Sequence, residues 1–397
     1  PWTLMGPDGF DSRIEPTCGR MSGLVRALAI DPRDSSRLLL GTATGGAWLS
    51  TDTGSTWRPL TDNQPSLAVG AVAIDPNNSN TFYVGTGEAH GTYYSAGILK
   101  STDAGNTWRV LGAQTFKRGA IAGIAVSPQD SNIVVVCAKP GKLFLGDNDI
   151  GTNVKGIYRS TDGGETFTVT SNIACNDLAV VPANFNVMYH SATGGAASGL
   201  YKSTNGGVSW ALESGAVNGD DVERLAIGLS PQGTRIFIGG KKGGDVVIQR
   251  SVDSGATWSE PLLTEIPASV EEADYRLYCE SQCDYDNAIA VDPADVRVAF
   301  YGGVGIYRTP DSAATFTQVG SNNAGGGPLH VDHHLVKFDL NATGVVYNGN
   351  DGGLYRSSDS GATWASIGRN LATIQPYHIS LHPTNRNIIF TGNQDNG

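Results

Sequence analysis

One eight-residue string is written seven times along the chain: Ser50 to Trp57 (STDTGSTW), Ser101 to Trp108 (STDAGNTW), Ser160 to Phe167 (STDGGETF), Ser203 to Trp210 (STNGGVSW), Ser251 to Trp258 (SVDSGATW), Thr309 to Phe316 (TPDSAATF) and Ser357 to Trp364 (SSDSGATW). The third positions lie 51, 59, 43, 48, 58 and 48 residues apart, a spacing that allots one supersecondary unit to each copy. Such a unit cannot bury its own apolar faces, so the copies must stack on one another.

The text between copies is regular too. An apolar segment ends in a proline turn (LAIDP at 28–32, VAIDP at 72–76, IAVSP at 124–128, IAVDP at 289–293), and a second β-rich run follows (TFYVGTG, RIFIGG, RVAFYGG). A third run leads into each string (LYRSS, IYRST, LYKST) and a fourth leaves it (TWRPL, TWRVL, TFTVT). Four short strands per repeat without helical periodicity predict an all-β chain, a single β-propeller of four-stranded antiparallel blades. The string itself reads as a turn: Ser/Thr and Asp oxygens accept backbone N–H groups, Gly supplies positive φ, and the aromatic packs between sheets. The pattern resembles the Asp-box, or BNR repeat, of sialidases, xyloglucanase-type glycoside hydrolases and sortilin-type receptors. That resemblance implies a structural turn remote from any active site.

The expected domain is 1–397 as one propeller, with 1–24 a closing strand and loop, 25–367 seven blades, and 374–397 the start of a further, incomplete blade. YHISLHPTNRNIIFTGN (377–393) repeats the opening text of a blade after the seventh string, and Trp2-Thr3-Leu4 resembles an outermost strand. Eight blades are therefore expected, with seven the alternative, and continuation beyond Gly397 is a further alternative.

A net charge of -11 with singly scattered basic residues lacks the footprint of a nucleic-acid binder. No run of about 18 apolar residues marks a membrane span, and no signal peptide is legible at the N-terminus. Of five cysteines, Cys279 and Cys283 lie close enough to close a small disulfide loop, which would suit an extracellular or cell-surface protein. Asn77 and Asn341 head glycosylation triplets, meaningful only in a protein secreted by a eukaryote.

Antiparallel order sends the strings and the proline turns to one face and the remaining loops to the other. The long, varied loops all fall on that second face: 85–97, 139–156, 263–287 and 321–334. Long loops on a rigid scaffold are where binding and catalysis concentrate. In LHVDHHLVKF, His330, Asp332 and His334 alternate and should point to one side of an innermost strand, where they could hold a divalent metal, move protons, or simply hydrogen-bond to neighbouring blades. Asp351 sits in the NDGG turn and Asp395 in the corresponding QDNG turn; Tyr285 and Asp286 lead into the innermost strand of blade 6.

Asp351-Gly352-Gly353-Leu354-Tyr355-Arg356 resembles, with one residue deleted, the turn carrying a catalytic Asp in xyloglucanase-type enzymes. The ordered set of Tyr-Asp, His-x-Asp-x-His, Asn-Asp-Gly-Gly and Gln-Asp-Asn-Gly resembles secreted BNR-repeat proteins often labelled glycosyl hydrolases. The resemblance implies a carbohydrate-active propeller, a glycoside hydrolase with paired carboxylates from among Asp351, Asp395, Asp286 and Asp332. Tyr285, His330, His334, Tyr93 and Tyr94 are the expected substrate contacts. The partner is then a poly- or oligosaccharide. The alternative is a non-catalytic module gripping a glycan or a protein.

Overall fold

The computed structural model describes residues 10–11, 18–89, 93–141, 154–264, 278–320, 329–385 and 388–394. Seven four-stranded antiparallel sheets follow one another, each built from consecutive strands in the order of the chain. We number them as blades 1 to 7. Their innermost strands are Val25–Asp31, Val69–Asp75, Gly119–Val126, Ala174–Val180, Val222–Leu229, Ala288–Val291 and His333–Phe338. Among the described residues no helix is long and apolar enough to cross a membrane.

The repeated string is the turn between the two outer strands, and its hydrogen bonds are local. In the first copy Ser50 Oγ accepts the Gly54 N–H at 2.8 Å and donates to Asp52 Oδ1, which accepts the Thr56 N–H, while the Thr56 hydroxyl donates to Asp52 Oδ2 at 2.7 Å. The pattern recurs in every copy, and these bonds hold Asp103, Asp162, Asp253 and Asp359 down at about 2. Asn205 keeps the geometry with the polarity of one bond reversed: its amide donates to Ser209 Oγ at 2.8 Å.

The glycine position is left-handed, as expected, and Ala313 occupies it at φ 63°. The residue before it is left-handed as well, in all seven copies, from Thr53 at 61° to Ser360 at 53°. Its N–H donates to the turn between the two inner strands, as Thr53 to Ser36 O at 2.9 Å and Ser360 to Gly344 O at 2.8 Å. Both sets of short turns are thereby stitched together on one face.

The ring closes at seven blades, which corrects the expectation of eight. Seven buried apolar clusters lie between consecutive blades, and one of them joins Val345, Tyr347 and Leu354 of blade 7 to Val25, Leu28 and Trp48 of blade 1. The Trp108 indole of blade 2 donates to Leu60 O at 3.0 Å, and the Trp57 indole of blade 1 donates equivalently to Ile367 O, just past blade 7, at 2.9 Å. Likewise Asn77 bonds Ser127 O of the next blade, and Asn341 bonds Pro32 O of blade 1.

The text that suggested an eighth blade forms a hairpin, Pro376–Leu381 with Ile389–Asn393, outside the ring. Among the described residues no blade covers its apolar side chains: Tyr377, Ile379 and Leu381 are 67%, 65% and 63% exposed. Trp2, Thr3 and Leu4 lie outside the described residues. Ser22 and Gly23 run beside blade 7 and the segment that follows it, with Ser22 N–H on Gly352 O and Gly23 N–H on Thr373 Oγ1.

Disulfides join Cys279 to Cys283 and Cys137 to Cys175. The second, unforeseen because its cysteines lie 38 apart, crosslinks blades 3 and 4.

Candidate functional site at the channel mouth

The innermost strands enclose an axial channel of about 380 Å³, lined mostly by Ala, Val, Ile and Leu, with Arg26, Asn176, Asp177, Arg224, Asn287, His334 and Lys337 as its polar members. Arg26, Arg224, Asn287 and His334 stand at or near the beginning of a strand, on the long-loop face.

Blade 7 begins differently from expectation. Asp332 is left-handed (φ 62°), so the strand starts only at His333, and a register shift follows between His333 and Leu335. His330, Asp332 and His334 therefore do not alternate along one strand. His330 packs over Gly352 with Nδ1 at 3.1 Å from Val331 O, and His333, which the sequence reading passed over, is buried against Asn348 Oδ1 at 2.9 Å. Among the described residues no group of three or more His, Cys, Asp or Glu is placed to hold a metal ion.

His334 is instead a bridge. Its Nε2 lies 2.7 Å from Asp351 Oδ1 and its Nδ1 lies 2.8 Å from Arg26 Nη1, with both side chains of the His–Asp pair buried. A guanidinium only donates, so Nδ1 is the acceptor, the proton sits on Nε2, and the ring is neutral. Burial, helped by the Arg26 charge, holds its pKa well below the usual histidine value. With both nitrogens engaged, His334 has no lone pair left for a metal or a proton.

Arg26 gathers the neighbouring blades. It pairs with Glu88 from the blade 2 loop, lies 5.1 Å over the Tyr285 ring, and donates to Tyr285 O at 3.2 Å. Arg224 donates to the same carbonyl at 2.8 Å and to Asn287 O at 2.7 Å. The His334 ring meets the Tyr285 ring edge-on, 4.9 Å between centroids. Two buried guanidiniums thus fix the backbone on either side of Asp286.

Asp286 is fully buried, and neither carboxylate oxygen finds a hydrogen-bond partner in another described residue. Burial, with the charges of Asp332 and Asp351 adding to it, pushes its pKa up to about 9, so it is a neutral acid at neutral pH.

The structure therefore brings together Tyr285, Asp286, Asp332, His334 and Asp351. Tyr93 and Tyr94 share the blade 2 loop with Glu88; Tyr93 is exposed, and Tyr94 packs against Gly141 of blade 3. Asp395 lies outside the described residues. Sequence reasoning missed Arg26, Glu88 and Arg224, although an arginine inside an apolar strand, as in LVRALAI and VERLAIG, was a signal that could have found two of them.

The chain matches no family model. It is 25% identical over 256 residues to a xyloglucanase of Hypocrea jecorina, a match covering 61% of this chain and 26% of that one. Among solved structures it resembles the xyloglucanase of Xanthomonas campestris, with a TM-score of 0.66 and 15% identity over 94% of this chain and 58% of that one. It also resembles YCF48 bound to D1 peptide, with a TM-score of 0.55 and 15% identity over 85% of this chain and 94% of that one. The class is thus a seven-bladed β-propeller with sequence relatives among xyloglucanases. The chain spans about a quarter of the length of the first of those relatives.

Proposed function

We propose that this is a carbohydrate-active propeller whose long-loop face receives a poly- or oligosaccharide, with Asp286 the proton donor and Asp351 or Asp332 the ionised partner. One observation carries the reading: a buried, neutral carboxylic acid stands among other carboxylates at the channel mouth. Glycoside hydrolysis needs two carboxyl groups in opposite protonation states, and environments that push two such groups apart are how proteins assign the roles. The xyloglucanase relatives make a glucan polysaccharide the first substrate to test. Two disulfides support an oxidising compartment, hence an extracellular or cell-surface location.

The second reading, a non-catalytic glycan- or protein-binding module, is favoured by one specific observation. Asp286 and Asp351 are 0% and 2% exposed, and Asp351 is tied to His334. Release of reducing ends from a polysaccharide panel, compared between the native chain and Asp286→Asn, separates the two. Hydrolysis lost in the variant with binding retained supports catalysis; binding without hydrolysis in both supports the module.

A further inference from the structure

Blade 5 breaks a rule that the other six keep. Their outermost strands begin directly after the aromatic of the repeated string, at Arg58, Arg109, Thr168, Ala211, Thr317 and Ala365, whereas in blade 5 the strand begins only at Leu262, four residues after Trp258. Ser259 still bonds to Arg250 O at 2.9 Å, but Leu262 then pairs with Ile248, so Glu260 and Pro261 together face Gln249. This is a one-residue bulge, a device that re-aims side chains near functional sites.

The bulge opens a cleft of about 300 Å³ on the outer rim between blades 4 and 5, bounded by Trp258, Gln249, Lys242, Glu260, Asn218 and Gly215. Its floor is built rather than incidental. Gln249 is 3% exposed; its Oε1 accepts the Val217 N–H at 2.7 Å, and its Nε2 donates to Gly215 O at 3.1 Å and Ser259 O at 2.9 Å, clamping both walls. Lys242 is held at the other end by Asn218 O at 2.9 Å. The Trp258 indole N–H, like that of Trp364, has no partner among the described residues, whereas the indoles of Trp57, Trp108 and Trp210 donate to the preceding blade.

We infer that this cleft is a binding site for a neutral oligosaccharide, separate from the channel mouth and not resting on the reading of that site. One aromatic wall, the half-buried Asn218 amide, and side chains of both charge signs around a shallow cleft suit a ligand with an apolar ring face and many hydroxyls, each donor and acceptor at once. A cleft of this size holds one or two sugar rings. A peptide anchor would instead require an apolar depth that the Gln249 clamp occupies.

The test is calorimetric titration of the whole chain with cellotetraose, maltotetraose and tetra-N-acetylchitotetraose. Trp258→Phe keeps an aromatic already present in two of the seven strings, so the fold survives it. Gly215→Val drives a side chain toward the indole, since a Cβ there meets Trp258 Cδ1 at 2.8 Å. Glu260→Ala removes an exposed wall. At least one tetrasaccharide should bind, weakened about tenfold by Gly215→Val and less by the other two. The inference is overturned if none of the three sugars binds, or if binding is indifferent to the rim variants.

Discussion

His334 donates its Nε2 proton to Asp351 across 2.7 Å while Arg26 fills the other ring nitrogen, so one neutral imidazole joins the blade 7 turn to blade 1 and, through Glu88, to blade 2. The same side chain that looked like a metal ligand in the sequence is a structural joint. His334→Phe leaves the Asp351 carboxylate and the Arg26 guanidinium without this partner inside the protein. The expected cost is about 3 kcal/mol in urea unfolding, larger than for removal of an exposed ion pair. Zinc titration should give no binding that His334→Phe abolishes.

Asp286 sets a pH dependence with a definite sign. Its folded pKa, about 9, lies above the ordinary aspartate value, so the stability it contributes is fully present below about pH 4 and lost as pH rises toward 9. Asp286→Asn should flatten the stability profile between those limits, with the gain over the native chain growing as pH rises. A variant that tracks the native profile throughout would mean that the carboxyl is ionised in the folded protein.

His190 works in the opposite direction. Buried in blade 4, with its ring 5.1 Å from that of Tyr201 and 4.7 Å from that of Trp210, it is lowered to about 4 by burial. Its contribution is present above the ordinary histidine value and lost as pH falls from about 6.5 to 4. His190→Phe should raise stability at pH 4.5 relative to pH 7.5 by roughly 1–3 kcal/mol compared with the native chain.

Ala313 pays a conformational cost that six sister copies avoid with glycine. Ala313→Gly should stabilise blade 6 by about 0.5–1 kcal/mol, read as a higher thermal midpoint, because φ is 63° there and the following residues keep their bonds to Asp311. The same change at Ser254 tests whether the preceding left-handed position carries a similar cost.

The repeated turn was legible because its bonds span only two to four residues, so Ser50, Asp52 and Thr56 carry their geometry in the sequence. Blade number was not. YHISLHPTNRNIIF writes the first half of a blade, but ring closure depends on Trp57 meeting Ile367, a contact 310 residues apart that no local pattern encodes. The site was half legible. Topology put Asp286, His334 and Asp351 on one face, yet the alternation assumed for His330, Asp332 and His334 failed at a single left-handed residue. The importance of Arg26, Glu88 and Arg224 exists only across blades.

The most direct test of a carbohydrate-active channel mouth is reducing-end release from xyloglucan by the native chain and by Asp286→Asn, with polysaccharide binding measured on the same samples. The prediction is turnover by the native chain, a fall of about a hundredfold or more in the variant, and unchanged binding. Neither turnover nor binding by the native chain, or equal turnover by both, would contradict it.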